Sequence, residues 1–563
     1  MKKSIYLVSL LTLLVVVAQV GGGALTLKAP LTARASQPSH DRAARVNSYQ
    51  GGPITPVTVN LADVQEGVSD PNQQSQIDAI YTLNLVSKGT LADRRAGARA
   101  LEPSPGVQIA VSGVDPAAPV PGVGFDSLDA TECCGGSTLV PPDPEMAAGP
   151  NHLIAVVNTA FEIYDKTGIS LVGPLTLGSF FAGLGGGCAS NPFDPNTLYD
   201  EEADRWVIAA DGNGTTYCIA VSQTSDPTGA YYLYGIPAQP VGGEFHNYPH
   251  TGVGDSYIVV GANQLGGAIP GGFEGRVWAL DKADLYAGSA VTPITASTGS
   301  TGRTPQPLHL HGHNQGTWPA YGATHYFVTD PADGCTLSVW QWNIPAPPSI
   351  ISTFDLCVFT GVAAGQPVDW PQLGGNLIQA NDLLMRGFEY RNGSGWVTDS
   401  ISCNPGGGTV DCLRWDEIDL TASPPVMVQA GVYASNNEYR TFPDLAVNQC
   451  GDMAIGYSKG TSASVPSIWY TGRESTNPPG TLQAESLLKA GEVTYSSFDG
   501  APYRWGDYTG MTIDPDGTTF WYMGEYSKNI ISAANWGTYI GSFAYPGCPR
   551  KLVYLPTIPK ISP

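Results

Sequence analysis

Charged residues are scarce in this sequence, 13% of 563, about half the usual quarter. Basic residues are scarcer still: 27 Lys and Arg stand against 49 Asp and Glu, for a net charge of −22. Residues 1–130 carry ten of each sign, so the whole excess falls on residues 131–563. With no basic patch to displace counterions, nucleic-acid binding is excluded. Surplus carboxylates are the usual ligands of Ca²⁺, so no cofactor is certain and Ca²⁺ is a possible one; solubility alone also explains them and is the favoured reading. No Cys-x-x-Cys occurs, which argues against a zinc ribbon or a thioredoxin-type site. Gly-x-Ser-x-Gly, P-loop, His-Glu-x-x-His and EF-hand loops are equally missing. Beyond residue 20 no apolar run is long enough to span a membrane.

Turn formers are plentiful: 68 Gly and 46 Pro, beside 42% hydrophobic residues. Such a chain reads as turn-rich, all-β and extracellular. Lys2 and Lys3 precede an apolar run from Ile5 to Val20, followed by small residues. Residues 1–35 are therefore expected to be a signal peptide, cleaved after 24 or 35, with no span left once it is removed. Residues 36–130, poor in aromatics, read as a flexible stalk or pro-segment. Residues 549–563 form an apolar C-terminal tail too short to cross a bilayer. Ten cysteines outside the cell suggest disulfides. Local pairing favours Cys188–Cys218, Cys335–Cys357 and Cys403–Cys412, and ring closure would bring Cys548 to Cys133 and Cys134.

One pattern recurs between residues 140 and 548: a short strand, a turn of Gly, Asn or Asp, and an alternating apolar strand. The second strands start at Leu153, Trp206, Tyr257, Tyr326, Leu383, Met453 and Phe520, in steps of 51 to 70 residues averaging about 61. Each step has room for four strands. Seven such units make a seven-bladed β-propeller over residues 131–548.

In a propeller the residues entering each innermost strand rim the central channel. Here six entries read as a residue followed by Pro: Asp143, Asp194, Tyr248, Trp318, Trp370 and Phe442, and the seventh is Arg504-Trp505-Gly506-Asp507. Aromatic faces beside carboxylates suit a sugar, so Tyr248, Trp318, Trp370, Phe442, Arg504 and Trp505 are candidate ligand contacts. The alternative is that the aromatics fill gaps between blades. Asp143, Asp194, Asp444 and Asp507 are candidate catalytic carboxylates, should two of them stand at glycosidase separation. His309, His311 and His313, at alternate positions, are candidate metal ligands.

Leu139-Val-Pro-Pro-Asp143 leading to Gly149-Pro-Asn-His, Tyr199-Asp with Ala203-Asp-Arg-Trp206, Ala220-Val-Ser-Gln-Thr-Ser-Asp-Pro-Thr-Gly229, Tyr470-Thr-Gly-Arg473 and Arg504-Trp-Gly-Asp-Tyr508 resemble a group of large secreted bacterial proteins, propeller-like in repeat pattern. The likeness covers about 130–548 and implies the fold and export, with no reaction attached. This chain departs at Asp143-Pro-Glu-Met, where that group has a more polar loop, which weakens a metal argument there. The sequence thus points to a secreted or cell-surface monomer that binds extracellular polysaccharide or an envelope component. A glycan-cleaving hydrolase or lyase, or a structural envelope protein, are the alternatives.

Overall fold

The computed structural model describes residues 48–64, 101–111, 118–133 and 139–549, apart from 191, 240, 241, 243, 267, 268, 270, 271 and 381–384. Over these residues the chain forms seven mainly antiparallel sheets. Their innermost strands are Glu145–Ala148, Phe193–Asp200, Phe245–Val253, Arg303–Pro307, Met385–Arg391, Tyr439–Val447 and Gly510–Ile513, which define blades 1 to 7. Each innermost strand packs against the next, and the seventh packs against the first. The ring closes, and the fold is a seven-bladed β-propeller.

Strand alternation explains why the blades pack. In Arg205–Gly212, Trp206, Ile208 and Ala210 join Ile154, Val156 and Phe161 of blade 1. Val207 and Ala209 of the same strand face the other way, onto Ile258, Val260 and Trp278 of blade 3. Both faces are buried, so the strand is an unbroken apolar run. Each large side chain so buried contributes about 1.5–3 kcal/mol.

The stalk expected over residues 36–130 is corrected by what its described parts do. Ser48–Gln50 pairs with the outer strand of blade 3, Val57–Asn60 with that of blade 2, and Val107–Ile109 with that of blade 5. Val120–Asp129 is the fourth strand of blade 7, antiparallel to Trp536–Ala544. The propeller therefore starts before residue 131 and is closed by a strand from its N-terminal side. The expected signal peptide, and the tail from 550 onward, lie outside the described residues.

Two of the expected hairpins shift. Blade 4 starts at Arg303–Pro307, well before Ala320, and blade 5 starts at Met385–Arg391, so its first hairpin turns at Asn392-Gly393 rather than before Leu383. Asn392 has φ 52° and Gly393 φ 94°, the left-handed pair that a tight hairpin needs.

The three local disulfides are present: Cys188–Cys218, Cys335–Cys357 and Cys403–Cys412. Cys548 pairs with Cys450 instead of the Cys133/Cys134 region, because closure by Val120–Asp129 moves the seam away from the last strand's end. Cys133 is disulfide-bonded, and Cys134 lies outside the described residues. Four such bonds fit an oxidising compartment. Among the described residues no helix is long and apolar enough to cross a membrane.

Candidate functional site in the axial channel

Six innermost strands share one irregularity. Asp143 (φ 48°), Asp194 (49°), Tyr248 (56°), Thr304 (45°), Gly387 (53°) and Phe442 (52°) are left-handed. In blades 2 to 6 the ladder register shifts across that residue, the mark of a β-bulge. For a non-glycine residue such a backbone costs on the order of 1–3 kcal/mol, and it recurs at functional sites. The residue two positions on is Glu145, Asn196, His250, Gln306, Glu389 and Asp444. Each blade from 1 to 6 thus supplies one polar side chain two residues after its left-handed one.

Five of these six side chains surround a narrow cavity on the propeller axis. It measures about 50 Å³ and is lined by Glu145, His250, Gln306, Glu389 and Asp444, with Tyr508 to Thr512 from blade 7. That is room for a few waters. Asn196 Nδ2 donates to Glu145 Oε2 at 3.0 Å. Asp444 accepts the Leu445 N–H at Oδ1 (2.8 Å) and the Met511 N–H at Oδ2 (2.6 Å). Burial, and then the charges of Asp444 and Glu389, push Glu145 well above the ordinary carboxylate range.

Blade 7 breaks the pattern and closes the channel. Tyr508 reaches across the axis to blade 3, stacking on Tyr248 at 4.8 Å and lying 5.2 Å from His250. Outside this lid lies a second polar group, at the N-terminal mouth. Asn158 Nδ2 donates to Asp143 Oδ2 (2.6 Å), Asn158 Oδ1 accepts the Asp194 N–H (2.8 Å), and the Asp507 N–H donates to Asp143 Oδ1 (2.5 Å). Arg504 Nη2 stands 3.5 Å from Asp507 Oδ2. Burial pushes both Asp143 and Asp194 up, and the charge of Asp507 adds to it. Asp143, Asp194 and Asp507 therefore converge with Arg504, while Asp444 belongs to the inner ring. Asp143 is 1% exposed, and the Asp507 side chain is 21% exposed.

At the opposite end His309 and His311 come together with rings 4.4 Å apart, and their nitrogens approach Glu389 within 4.8 Å. His313 does not join them; it is exposed and packs on Trp318. His311 lies between Glu201 (Nδ1, 3.3 Å) and Glu389 (Nε2, 2.6 Å). Burial opposes its protonation, but the charge of Glu389 and the bonds to both glutamates raise it to about 9. His309 Nδ1 accepts the Val253 N–H at 3.2 Å, so its proton sits on Nε2. The His309 Nδ1 lone pair is thus engaged and the protonated His311 has none to offer, a poor fit to a metal.

The expected sugar-stacking ring is corrected. Tyr248, Trp370, Phe442 and Trp505 are 0 to 3% exposed, and Trp370, Phe442 and Trp505 share one core cluster with Trp536. Trp318-Pro319 and Trp370-Pro371 are not strand entries either. They sit in loops after the first strand of blade 4 and before that of blade 5, whose true positions are Thr304 and Gly387. Sequence reasoning missed Phe498, 45% exposed beside Asp499, whose carboxylate accepts the Arg504 N–H. No proline marks it.

No known protein family matches the chain, and no curated protein is similar to it. Among solved structures it is similar to the α-L-arabinofuranosidase PaAbf62A of Podospora anserina (13% identity, TM-score 0.25, covering 53% of this chain and 90% of that one). It is also similar to a PL25 ulvan lyase (8%, 0.33, 58% and 76%) and to the WD40 domain of SCAP from fission yeast (10%, 0.33, 72% and 85%). The assignment of the fold rests on the seven sheets and their closure.

Proposed function

We propose that the protein is an exported binding propeller whose contact face is the N-terminal mouth of the ring and whose ligand is extracellular polysaccharide. The observation that carries this reading is the convergence of Asp194, Asp507 and Arg504 above a channel closed by Tyr248 and Tyr508. Carboxylates accept from sugar hydroxyls and a guanidinium donates to ring and hydroxyl oxygens. Phe498 supplies the exposed apolar face that the buried aromatics do not. With the lid closed, a chain would lie across the mouth rather than thread the ring. Asp143 is sealed beneath, so glycosidic chemistry would fall to Asp194 and Asp507.

A glycan array on the full-length chain, run beside a reducing-end release assay, tests this. Binding without release is expected, weakened at least tenfold in Asp507→Asn and Phe498→Ala, with the folding midpoint unchanged in Phe498→Ala. Release that vanishes in Asp194→Asn and Asp507→Asn would replace the binding reading with a hydrolase or lyase. Silence in both assays would leave a structural envelope role.

A further inference from the structure

We propose, resting on the binding reading above, that the polysaccharide taken at the mouth is polycationic, a chain of amino sugars carrying free ammonium groups. The whole net charge of −22 falls on residues 131–563, and the mouth concentrates it. Asp143 and Asp507 act on Asp194 and on the buried Glu525 alike, and the cation acting on Asp143 and Asp194 is Arg504. Arg504 itself stands 3.5 Å from Asp507. A polyanion entering this recess would meet net negative charge where water screens it poorly, and an ammonium would relieve that charge. Among the described residues the carboxylates of the mouth do not bring three oxygens within 4.8 Å of one another. The group therefore suits charges spaced along a chain rather than one ion.

A second observation is independent of the acidic residues. Tyr508, the floor of the mouth, is 2% exposed, and its hydroxyl has no hydrogen-bond partner while lying within reach of Asp194, Asp143 and Asp507. A buried hydroxyl left unpaired is costly, and its oxygen can accept from an ammonium. The protein also shows how it seats its own ammonium groups, between an aromatic face and a carboxylate. Lys459 Nζ lies 4.1 Å from the Trp469 ring centre and bonds Glu485 at 2.5 Å. Lys489 Nζ lies 4.6 Å from the Tyr526 ring and 2.9 Å from Asp126. At the rim Phe498, 45% exposed, and Asp499, whose Oδ1 has no partner, offer the same pair of elements. Burial, and then neighbouring carboxylates, push Asp143 and Asp194 upward. An ammonium favours their charged forms, so binding should release protons.

The test titrates the full chain by calorimetry, at about pH 6 where such amines are protonated, with three oligosaccharides of equal length: a glucosamine oligomer, its N-acetylated counterpart and an oligouronate. At low ionic strength the glucosamine oligomer is expected to bind saturably and roughly tenfold tighter than its N-acetylated form, an advantage that shrinks as salt is added. Proton release should appear as a heat that depends on the buffer. Asp507→Asn should reduce the advantage, and Phe498→Ala, which leaves the net charge unchanged, should weaken the glucosamine oligomer about tenfold. Equal or tighter binding of the N-acetylated oligomer or the oligouronate overturns the inference and keeps the polysaccharide reading. An affinity untouched in both variants marks diffuse attraction to an acidic protein and overturns it too. Binding of none of the three also overturns it, and the glycan array then decides the polysaccharide reading separately.

Discussion

Blade 6 and the channel bury the same side chain with opposite results. In blade 6, Glu485 is 1% exposed and takes a two-point bond from Arg440 (Nε 3.0 Å, Nη2 2.9 Å), with Lys459 Nζ and the Tyr457 hydroxyl each at 2.5 Å. Burial alone would raise it, but the charges and bonds of Arg440 and then Lys459 hold it at about 2. In the channel Glu145 accepts from the Asn196 amide and the Thr197 backbone N–H, faces the charges of Asp444 and Glu389, and moves the other way. Burial is common to both, so the number of cations within reach decides the direction. Where a buried carboxylate serves stability, as in blade 6, the chain supplies cations; among the described residues no Lys or Arg lines the channel cavity.

The strongest test of that contrast removes the carboxylate that is paired. Glu485→Gln leaves Arg440 and Lys459 buried with only Glu438, which is partly exposed. A loss of about 3–5 kcal/mol is expected, since stranding buried charges costs that much, read as a lower denaturant midpoint. A loss below about 1 kcal/mol would mean the cluster is no more than a surface ion pair, and the contrast would fail.

How much of this was legible in the sequence depends on what the signal was. The blades were, because strands such as Arg205–Gly212 carry apolar residues for both neighbours and end in turn residues. Val120–Asp129 was not: Pro121, Gly122 and Gly124 read as linker. Yet Pro is tolerated at an edge strand, and Gly124 has no room for a side chain against Tyr539. The residue-Pro rule found Asp143, Asp194, Tyr248 and Phe442. It missed Thr304, whose type drew no notice, and Gly387, which precedes Phe388, while Trp318 and Trp370 copied the pattern in loops. The polar ring two residues further on, which includes Gln306 and Glu389, depends on the bulge that re-aims the strand, and a bulge has no composition of its own.

An intermediate case sharpens the comparison through pH. Between blades 4 and 5 one guanidinium, Arg414, serves Asp399 (2.5 Å), Asp416 (3.8 Å) and nearby Asp330. Burial, only partly offset by Arg414, pushes Asp330 and Asp416 each to about 7. Their folded-state values lie above the unfolded value of about 3.9. Their contribution is therefore complete below about pH 4 and is lost as pH rises through about 7. Glu485 runs the opposite way: its contribution is present above about pH 4.5 and is lost as pH falls toward about 2. A thermal midpoint highest near pH 4–5 is expected, and Asp416→Asn should flatten the limb between pH 5 and 8 while leaving the acid limb unchanged. An unaltered limb above pH 5 would separate these aspartates from the rule.

The smallest effect has the opposite sign. In chelator, Glu145→Gln keeps an acceptor for Asn196 and removes one of three like charges facing the cavity. Neutralising a carboxylate whose charged form is disfavoured should stabilise the fold. Glu485→Gln, the same chemical change, destabilises. Measured side by side in denaturant without divalent ions, the two variants must move the midpoint in opposite directions. Should both lower it, Glu145 would have a positive partner among the residues around the ring, and the channel would be an ordinary buried ion cluster like the one in blade 6.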